Sequence, residues 1–205
     1  SVLVSNDTAW IGNQRSILKY IFGNGQKVSL DYQPIVRNVN ETVQFIHMDR
    51  NQQIWVLCKD GLYKYGPKTL RSLISTPLET QSLSIRPQMP LIEDQDGNLW
   101  LGTFGNGVYK IDTSHHVTHI LHNPTDNNSL SDNSINCIYE DRSSGIWIGT
   151  FGAGINVYNP DANLIKNLKH NAFDDRSMSS SFVWSVFEDE EHKVWIGTHR
   201  TGINI

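Results

Sequence analysis

Cysteine is scarce in this chain of 205 residues, which has only two. That is too few for the disulfide framework that holds many small secreted domains together. No run of 18 apolar residues occurs, so no segment reads as a membrane-spanning helix. Nor does any stretch keep a helical period of apolar residues. The chain starts directly in a strand pattern with no secretory signal ahead of it. Positive charge is not in excess: 17 Lys and Arg stand against 21 Asp and Glu, a net charge of −4, which argues against a nucleic-acid surface. The glycine-rich turns lack a following helix and a Gly-Lys-Ser/Thr ending, so they are not phosphate loops.

Tryptophan, in contrast, recurs. Trp10, Trp55, Trp100, Trp147 and Trp195 follow one another at intervals of 45, 45, 47 and 48 residues. The same phrase surrounds the last three: EDQDGNLWLGTFGNGVYKID, EDRSSGIWIGTFGAGINVYN and EDEEHKVWIGTHRTGINI. Two looser copies precede them, VSNDTAWIGNQRSILKY and MDRNQQIWVLCKDGLYKY. A fixed period in this range marks a chain built from one repeated structural unit.

Each unit reads as strands. A short apolar run comes first, as at Val43 to Met48, Leu91 with Ile92, Ile135 to Tyr139 and Val183 to Phe187. A polar turn follows, such as Asp94-Gln95-Asp96-Gly97-Asn98, which is a hairpin signal. The Trp strand, a Gly-rich turn and a third strand (Val108 to Ile111, Ile155 to Tyr158) come next. A more polar fourth segment closes the unit, at Val28 to Tyr32, Leu70 to Ile74, Val117 to Leu121 and Leu164 to Leu168. Four short antiparallel strands per period of about 40–50 residues is the arithmetic of a β-propeller blade. The predicted fold is therefore all-β, a partial propeller of four four-stranded blades and part of a fifth. The blades run 1–38, 39–82, 83–127, 128–176 and 177–205. Because Ser1 aligns with the middle of a first strand and Ile205 with a third, the expectation is a piece of a longer propeller that self-associates through open blade faces.

The recurring residues have expected physical roles. The Trp should wedge between neighbouring blades, and the motif supplies no evident polar partner for it. Gly12, Gly102, Gly149 and Gly197, two residues after it, should admit the next blade closely. Asp49, Asp94, Asp141 and Asp189, six residues before it, should bond backbone N–H groups of their own turn. Cys58 and Cys137 lie on blades that are not neighbours, so no bridge between them is expected.

The phrase at Ile135 to Asn156, repeated at Val183 to Asn204 and Leu91 to Lys110, resembles the two-component regulator propeller repeat. The spacer His122 to Ser131 resembles the linker between such repeats. Val56-Leu57-Cys58 in the second unit departs from the pattern, and the first unit departs further. This resemblance implies the periplasmic sensor half of a hybrid two-component histidine kinase, and a seven-bladed propeller of which this chain is a fragment. Such a sensor responds to an oligosaccharide or glycan-derived ligand and controls polysaccharide-utilisation genes. The kinase, receiver and DNA-binding parts would lie outside this chain, whose partners would be the ligand and the remaining blades, with no direct nucleic-acid binding.

Several constellations suggest other chemistry. Glu93-Asp94, Glu140-Asp141 and Glu188-Asp189 pair carboxylates as glycosidases do, at about 5–5.5 Å in retaining enzymes. Their repetition favours a turn role, as does the resemblance of the third unit's D-x-D-G-x-x-W to sialidase Asp boxes. His115, His116, His119 and His122 cluster, but on a fourth strand without an acidic or cysteine partner. No metal, cofactor or catalytic residue is expected. A propeller enzyme such as a polysaccharide lyase or glycosidase, and a purely protein-binding propeller, are the alternatives.

Recognition should fall where the repeat varies. Five residues before the repeat Asp stand Gln44, Met89, Asn136 and Trp184. The turns between second and third strands contribute Arg15, Lys59, Phe104, Phe151, His199 and Arg200. These ten are the candidate ligand-binding residues, with Trp184 offering an aromatic face to a sugar ring.

Overall fold

The computed structural model describes residues 1–12, 16–21, 27–31, 43–58, 61–65, 70–75, 91–162 and 164–205. They form 19 strands in five antiparallel sheets and, among the described residues, no helix. The chain divides into two compact units, Ser1–Leu83 and Ser84–Ile205.

The first unit holds two four-stranded sheets. One is β1 (Val2–Ser5), β2 (Thr8–Gly12), β3 (Ser16–Ile21) and β4 (Lys27–Asp31); the other is β5 (Val43–Met48), β6 (Ile54–Cys58), β7 (Gly61–Tyr65) and β8 (Leu70–Ser75). The second unit holds three. They are β9 (Leu91–Glu93) to β12 (Val117–Ile120) through β10 (Leu99–Gly102) and β11 (Val108–Ile111); β13 (Ile135–Glu140), β14 (Ile146–Thr150), β15 (Ile155–Asn159) and β16 (Leu164–Leu168); and β17 (Val183–Glu188), β18 (Val194–Thr198) and β19 (Gly202–Asn204). Within every sheet the strands pair in sequence order. The expected strands and turns are found almost residue for residue.

Within each unit consecutive sheets stack through a recurring joint. The Gly after the Trp makes room for it: a Cβ at Gly12 would stand 2.4 Å from Val43, and one at Gly102 2.7 Å from Ile135. A tyrosine on the third strand of one sheet covers the Trp of the sheet before it. Tyr65 lies 5.7 Å from Trp10, and Tyr158 lies 5.2 Å from Trp100. The core of the second unit gathers Trp100, Val108, Ile135, Ile138, Ile148, Tyr158 and Ile165. Branched aliphatic side chains on both sides of a thin sheet suit this layered packing.

The repeat Asp does more than cap its turn. Its Oδ1 accepts the backbone N–H four residues on, as in Asn98 to Asp94 at 2.7 Å and Gly145 to Asp141 at 2.8 Å. Its Oδ2 also accepts the indole N–H of the Trp, in the four pairs Trp55–Asp49, Trp100–Asp94, Trp147–Asp141 and Trp195–Asp189, at 2.6 to 2.8 Å. The expectation that the motif offers the Trp no polar partner is thus corrected: the hairpin returns the ring to the carboxylate that opened it. Burial of the series is also uneven. Trp100 is fully buried, whereas Trp147 and Trp195 are half-buried. The turn's fourth residue takes positive φ in each of these four repeats, at Gln52, Gly97, Ser144 and His192. Only Gly97 adopts it without a steric cost.

Candidate functional site

In the pairs Glu140-Asp141 and Glu188-Asp189 the two carboxylates divide their work. While each Asp holds its turn and Trp, the Glu reaches back to the preceding sheet. Glu140 Oε1 accepts the N–H of Gln95 at 2.9 Å, and Glu188 Oε2 that of Arg142 at 2.7 Å. Both carboxylates of these pairs are thereby committed to backbone amides, a structural use.

The histidine cluster is dispersed by its own contacts. His115 sits at positive φ in the turn before β12. His116 does have an acidic neighbour, contrary to expectation: its Nδ1 is 3.2 Å from Asp112 Oδ2. The His116 backbone N–H is the main cause holding the Asp112 carboxyl below its ordinary pKa. The ring of His119 stacks on Tyr109 with centroids 4.1 Å apart and planes within 7°. His122 turns its Nδ1 to the carbonyl of Leu130. That last contact recurs as His170 Nδ1 to Met178 O at 2.7 Å, so this histidine closes the connection between sheets. Among the described residues no group of three His, Cys, Asp or Glu is placed to hold a metal. Cys58 and Cys137 are buried and form no disulfide, and burial pushes the Cys137 thiol pKa up to about 12.

The variable positions have a distinct geometry. Gln44, Asn136 and Trp184 each fall where the pairing register slips, between Val43 and Phe45, Ile135 and Cys137, and Val183 and Ser185. A β-bulge leaves its extra residue outside the ladder and re-aims its side chain. The repeat therefore has a built-in place for a residue that the sheet does not constrain. In two of these places a buried amide oxygen has no hydrogen-bond partner: Gln44 Oε1 in the first unit and Asn136 Oδ1 in the second. Asn136 is fixed by its Nδ2, which donates to the carbonyl of Val183 at 2.8 Å. That carbonyl belongs to the residue preceding Trp184.

In the second unit the turns bring four of the candidate residues into one row. Phe104, Phe151 and His199 each follow the Thr that ends the second strand. Their turns are pinned by backbone bonds to the segments entering β13 and β17, including Phe151 N to Ser134 O at 2.9 Å and His199 N to Phe182 O at 2.9 Å. The rings then meet in succession. Phe104 to Phe151 is 5.5 Å between centroids, Phe151 to Phe182 5.3 Å, Phe182 to His199 6.3 Å, and His199 to Trp184 5.8 Å. The two Phe–Phe contacts are edge-to-face, the favoured aromatic geometry. Phe151 is 39% and Phe182 42% exposed, so the row is open to solvent along its middle. Arg200 follows His199, exposed and at φ 66°.

Phe182 is the residue that sequence reasoning missed. It precedes its strand and lies outside the compared repeat positions; the signal was its replacement of Ser134 at the matching place. Gln44 belongs to the other unit. Arg15, Lys59 and Met89 lie outside the described residues.

A family profile described as two component regulator propeller matches residues 91–105, 129–152 and 177–200. No curated protein matches the chain. Among solved structures, the chain is similar to the extracellular domain of a one component system, BT4673, from B. thetaiotaomicron. The TM-score is 0.69 at 23% identity, over 98% of this chain and 26% of that one. It is similar also to the extracellular domain of a hybrid two component system, BT3049, from the same organism, with TM-score 0.66, 18% identity, and 99% and 26% covered. The chain thus spans about a quarter of the length of both domains. Virginiamycin B lyase from Staphylococcus aureus shares the fold at TM-score 0.65 and 13% identity, over 99% of this chain and 67% of the lyase. One fold serving such different proteins means that function must be argued from the site. The chain has the β-propeller fold, and three of its segments are similar to the two-component regulator propeller repeat.

Proposed function

We propose that this chain is a ligand-sensing propeller from the extracytoplasmic, periplasmic part of a hybrid two-component histidine kinase. It binds an oligosaccharide or glycan-derived ligand and does not turn it over; the parent protein converts binding into control of polysaccharide-utilisation genes. The repeats and the fold shared with extracellular domains of such systems support the sensor reading. The observation that carries the ligand assignment is the solvent-open row Phe104, Phe151, Phe182, His199 and Trp184. Apolar ring surface exposed in one line on otherwise polar turns marks a binding surface. Aromatic faces suit the C–H faces of sugar rings. The carboxylates of Glu140 and Glu188 accept backbone N–H groups of the preceding sheet, a structural use.

The test is calorimetry of the purified chain against a panel of polysaccharide-derived oligosaccharides. One glycan class should bind, and Trp184→Ala and Phe151→Ala should each weaken it at least tenfold while leaving the circular dichroism spectrum unchanged. Recovered ligand should be intact. Binding untouched by both substitutions would remove the row from the site, and cleavage of the glycan would replace the sensor with an enzyme.

A further inference from the structure

A bulged residue is not held by the ladder, so its direction must be set from elsewhere. Trp184 is such a residue: Val183 pairs with Thr198 and Ser185 with Gly197, and the register gives the residue between them no partner. The peptide that leads into it is held twice. The Val183 side chain is wholly buried among Cys137, Ile155, Met178 and Ile196. The Val183 carbonyl accepts the Nδ2 N–H of Asn136 at 2.8 Å. Asn136 is itself the bulged residue of the fourth sheet, between Ile135 and Cys137. One residue outside its ladder thus fixes the carbonyl that precedes the next such residue, and the bond joins the fourth sheet to the fifth.

The stacking of sheets does not require this bond. At the matching place of the third repeat stands Met89, whose side chain has no N–H to donate. The third and fourth sheets stack all the same around Trp100, Ile135, Ile138 and Tyr158. Asn136 is also costly to bury, since its Oδ1 has no hydrogen-bond partner, and an unmade bond in a buried place loses free energy. An apolar side chain would fill the place without that cost. At 3% exposure, Asn136 has almost no surface to offer a ligand. What distinguishes it is the carbonyl it holds.

We propose, resting on the oligosaccharide-site reading of the row, that Asn136 is a positioning residue: by holding the Val183 carbonyl it sets the direction in which the bulge presents Trp184 to His199 and to the ligand. A precise site needs side chains behind the contact surface that lock the contacting ones in place. The Trp184 end has that support from two sides. The Asn136 amide holds the peptide entering Trp184, and the His199 backbone N–H holds the Phe182 carbonyl, one residue earlier, at 2.9 Å. The rings of Trp184 and His199 then lie 5.8 Å apart. Asn136→Leu is close in volume and has no donor, so it releases the peptide and removes the unpaired oxygen together.

The experiment uses the whole chain labelled with fluorotryptophan. The Trp184 fluorine resonance is identified by its loss in Trp184→Phe, and the parent and Asn136→Leu are compared without ligand. The Trp184 resonance should shift or broaden, and that of Trp100 should stay. In calorimetry against an oligosaccharide that the parent binds, Asn136→Leu should weaken binding at least fivefold. In a Trp184→Ala background the same substitution should change it less than twofold, because Asn136 acts through that ring. A merely structural role would lower affinity equally in both backgrounds. If Asn136→Leu does not fold, Asn136→Met, with the residue of the third repeat, replaces it; if neither folds, the stacking itself needs the amide and the positioning role falls. An unmoved Trp184 resonance, or equal losses with and without the Trp184 ring, would overturn the proposal. Where no oligosaccharide binds the parent, the reading of the row fails, and the ligand-free spectrum still decides whether Asn136 positions Trp184.

Discussion

The indole N–H of Trp100 donates to Asp94 Oδ2 at 2.7 Å, across a hairpin that the same carboxylate shapes through the N–H of Asn98. Trp100 is wholly buried and Asp94 is 5% exposed. The bond therefore joins the turn to the core of the joint. Asp94→Ala leaves a buried indole N–H and a turn amide without an acceptor, and should cost about 3 kcal/mol. Asp94→Asn keeps one acceptor oxygen and should lose less. Denaturant unfolding of both variants checks the order; equal losses would show that the one acceptor oxygen kept by Asn contributes nothing.

The corresponding carboxylate in the fifth sheet predicts an acid sensitivity. The Asp189 pKa is held below its ordinary value, first by the Trp195 indole N–H and then by the Lys193 amide. A carboxyl depressed in the folded state stabilises that state above its unfolded pKa, and the contribution is lost as pH falls through the folded value. Trp195→Phe removes the largest cause. Carboxyl-carbon NMR titration should then find the Asp189 midpoint moved up toward the ordinary carboxylate value in the variant. An unshifted midpoint would mean that the indole bond does not form in solution.

Much of this architecture can be read from period and alternation, because strands of a thin sheet must alternate and turns must use Asp, Asn and Gly. Val43 to Met48 and Val108 to Ile111 were legible in full. The Trp–Asp bond was less so, since it spans six residues and depends on how the hairpin folds back. Its trace is that Asp and Trp recur together at fixed separation in four of the repeats. The bulge is visible only as a break in alternation, as in Val183-Trp184-Ser185. Pairing partners are needed to show that two residues there oppose one. Four members of the aromatic row were legible: Phe104, Phe151, His199 and Trp184 stand at the variable places of the repeat, whereas Phe182 stands just before its strand, where the preceding repeat has Ser134. Their meeting depends on how consecutive turns rest on the segments entering the next sheet, a contact between repeats that no single repeat contains.

The tryptophans should not be equivalent in stability. Trp100 is completely enclosed with Tyr158 against its ring and Lys110 Nζ 5.0 Å from its centroid. Trp147 faces Val157 where Trp100 faces Lys110, and it remains half-buried. Trp100→Ala should cost about 3–5 kcal/mol, the range for a buried ring lost from a core. Trp147→Ala should cost measurably less. Thermal unfolding of the two variants side by side decides this, and an equal or larger loss at Trp147 would show that exposure does not rank them.

Gly149 predicts the tightness of the joint between the fourth and fifth sheets. A Cβ there would stand 2.6 Å from Cys137 Sγ and 2.7 Å from Val183 Cγ1, one in its own sheet and one in the next. Neither neighbour can withdraw easily, because Cys137 and Val183 are both buried with Met178 and Ile196. Gly149→Ala should therefore destabilise the chain by about 1–3 kcal/mol, the usual cost of overpacking. Ala would otherwise be favoured, since it restricts the unfolded chain more than Gly, so the sign of the effect is diagnostic. Val183→Ala removes one of the two obstructions and should make Gly149→Ala less costly in that background. A double-mutant cycle would register the relief as a coupling of at least about 0.5 kcal/mol. Additive losses, or a Gly149→Ala variant as stable as the parent, would mean that the two sheets stand farther apart than this contact requires.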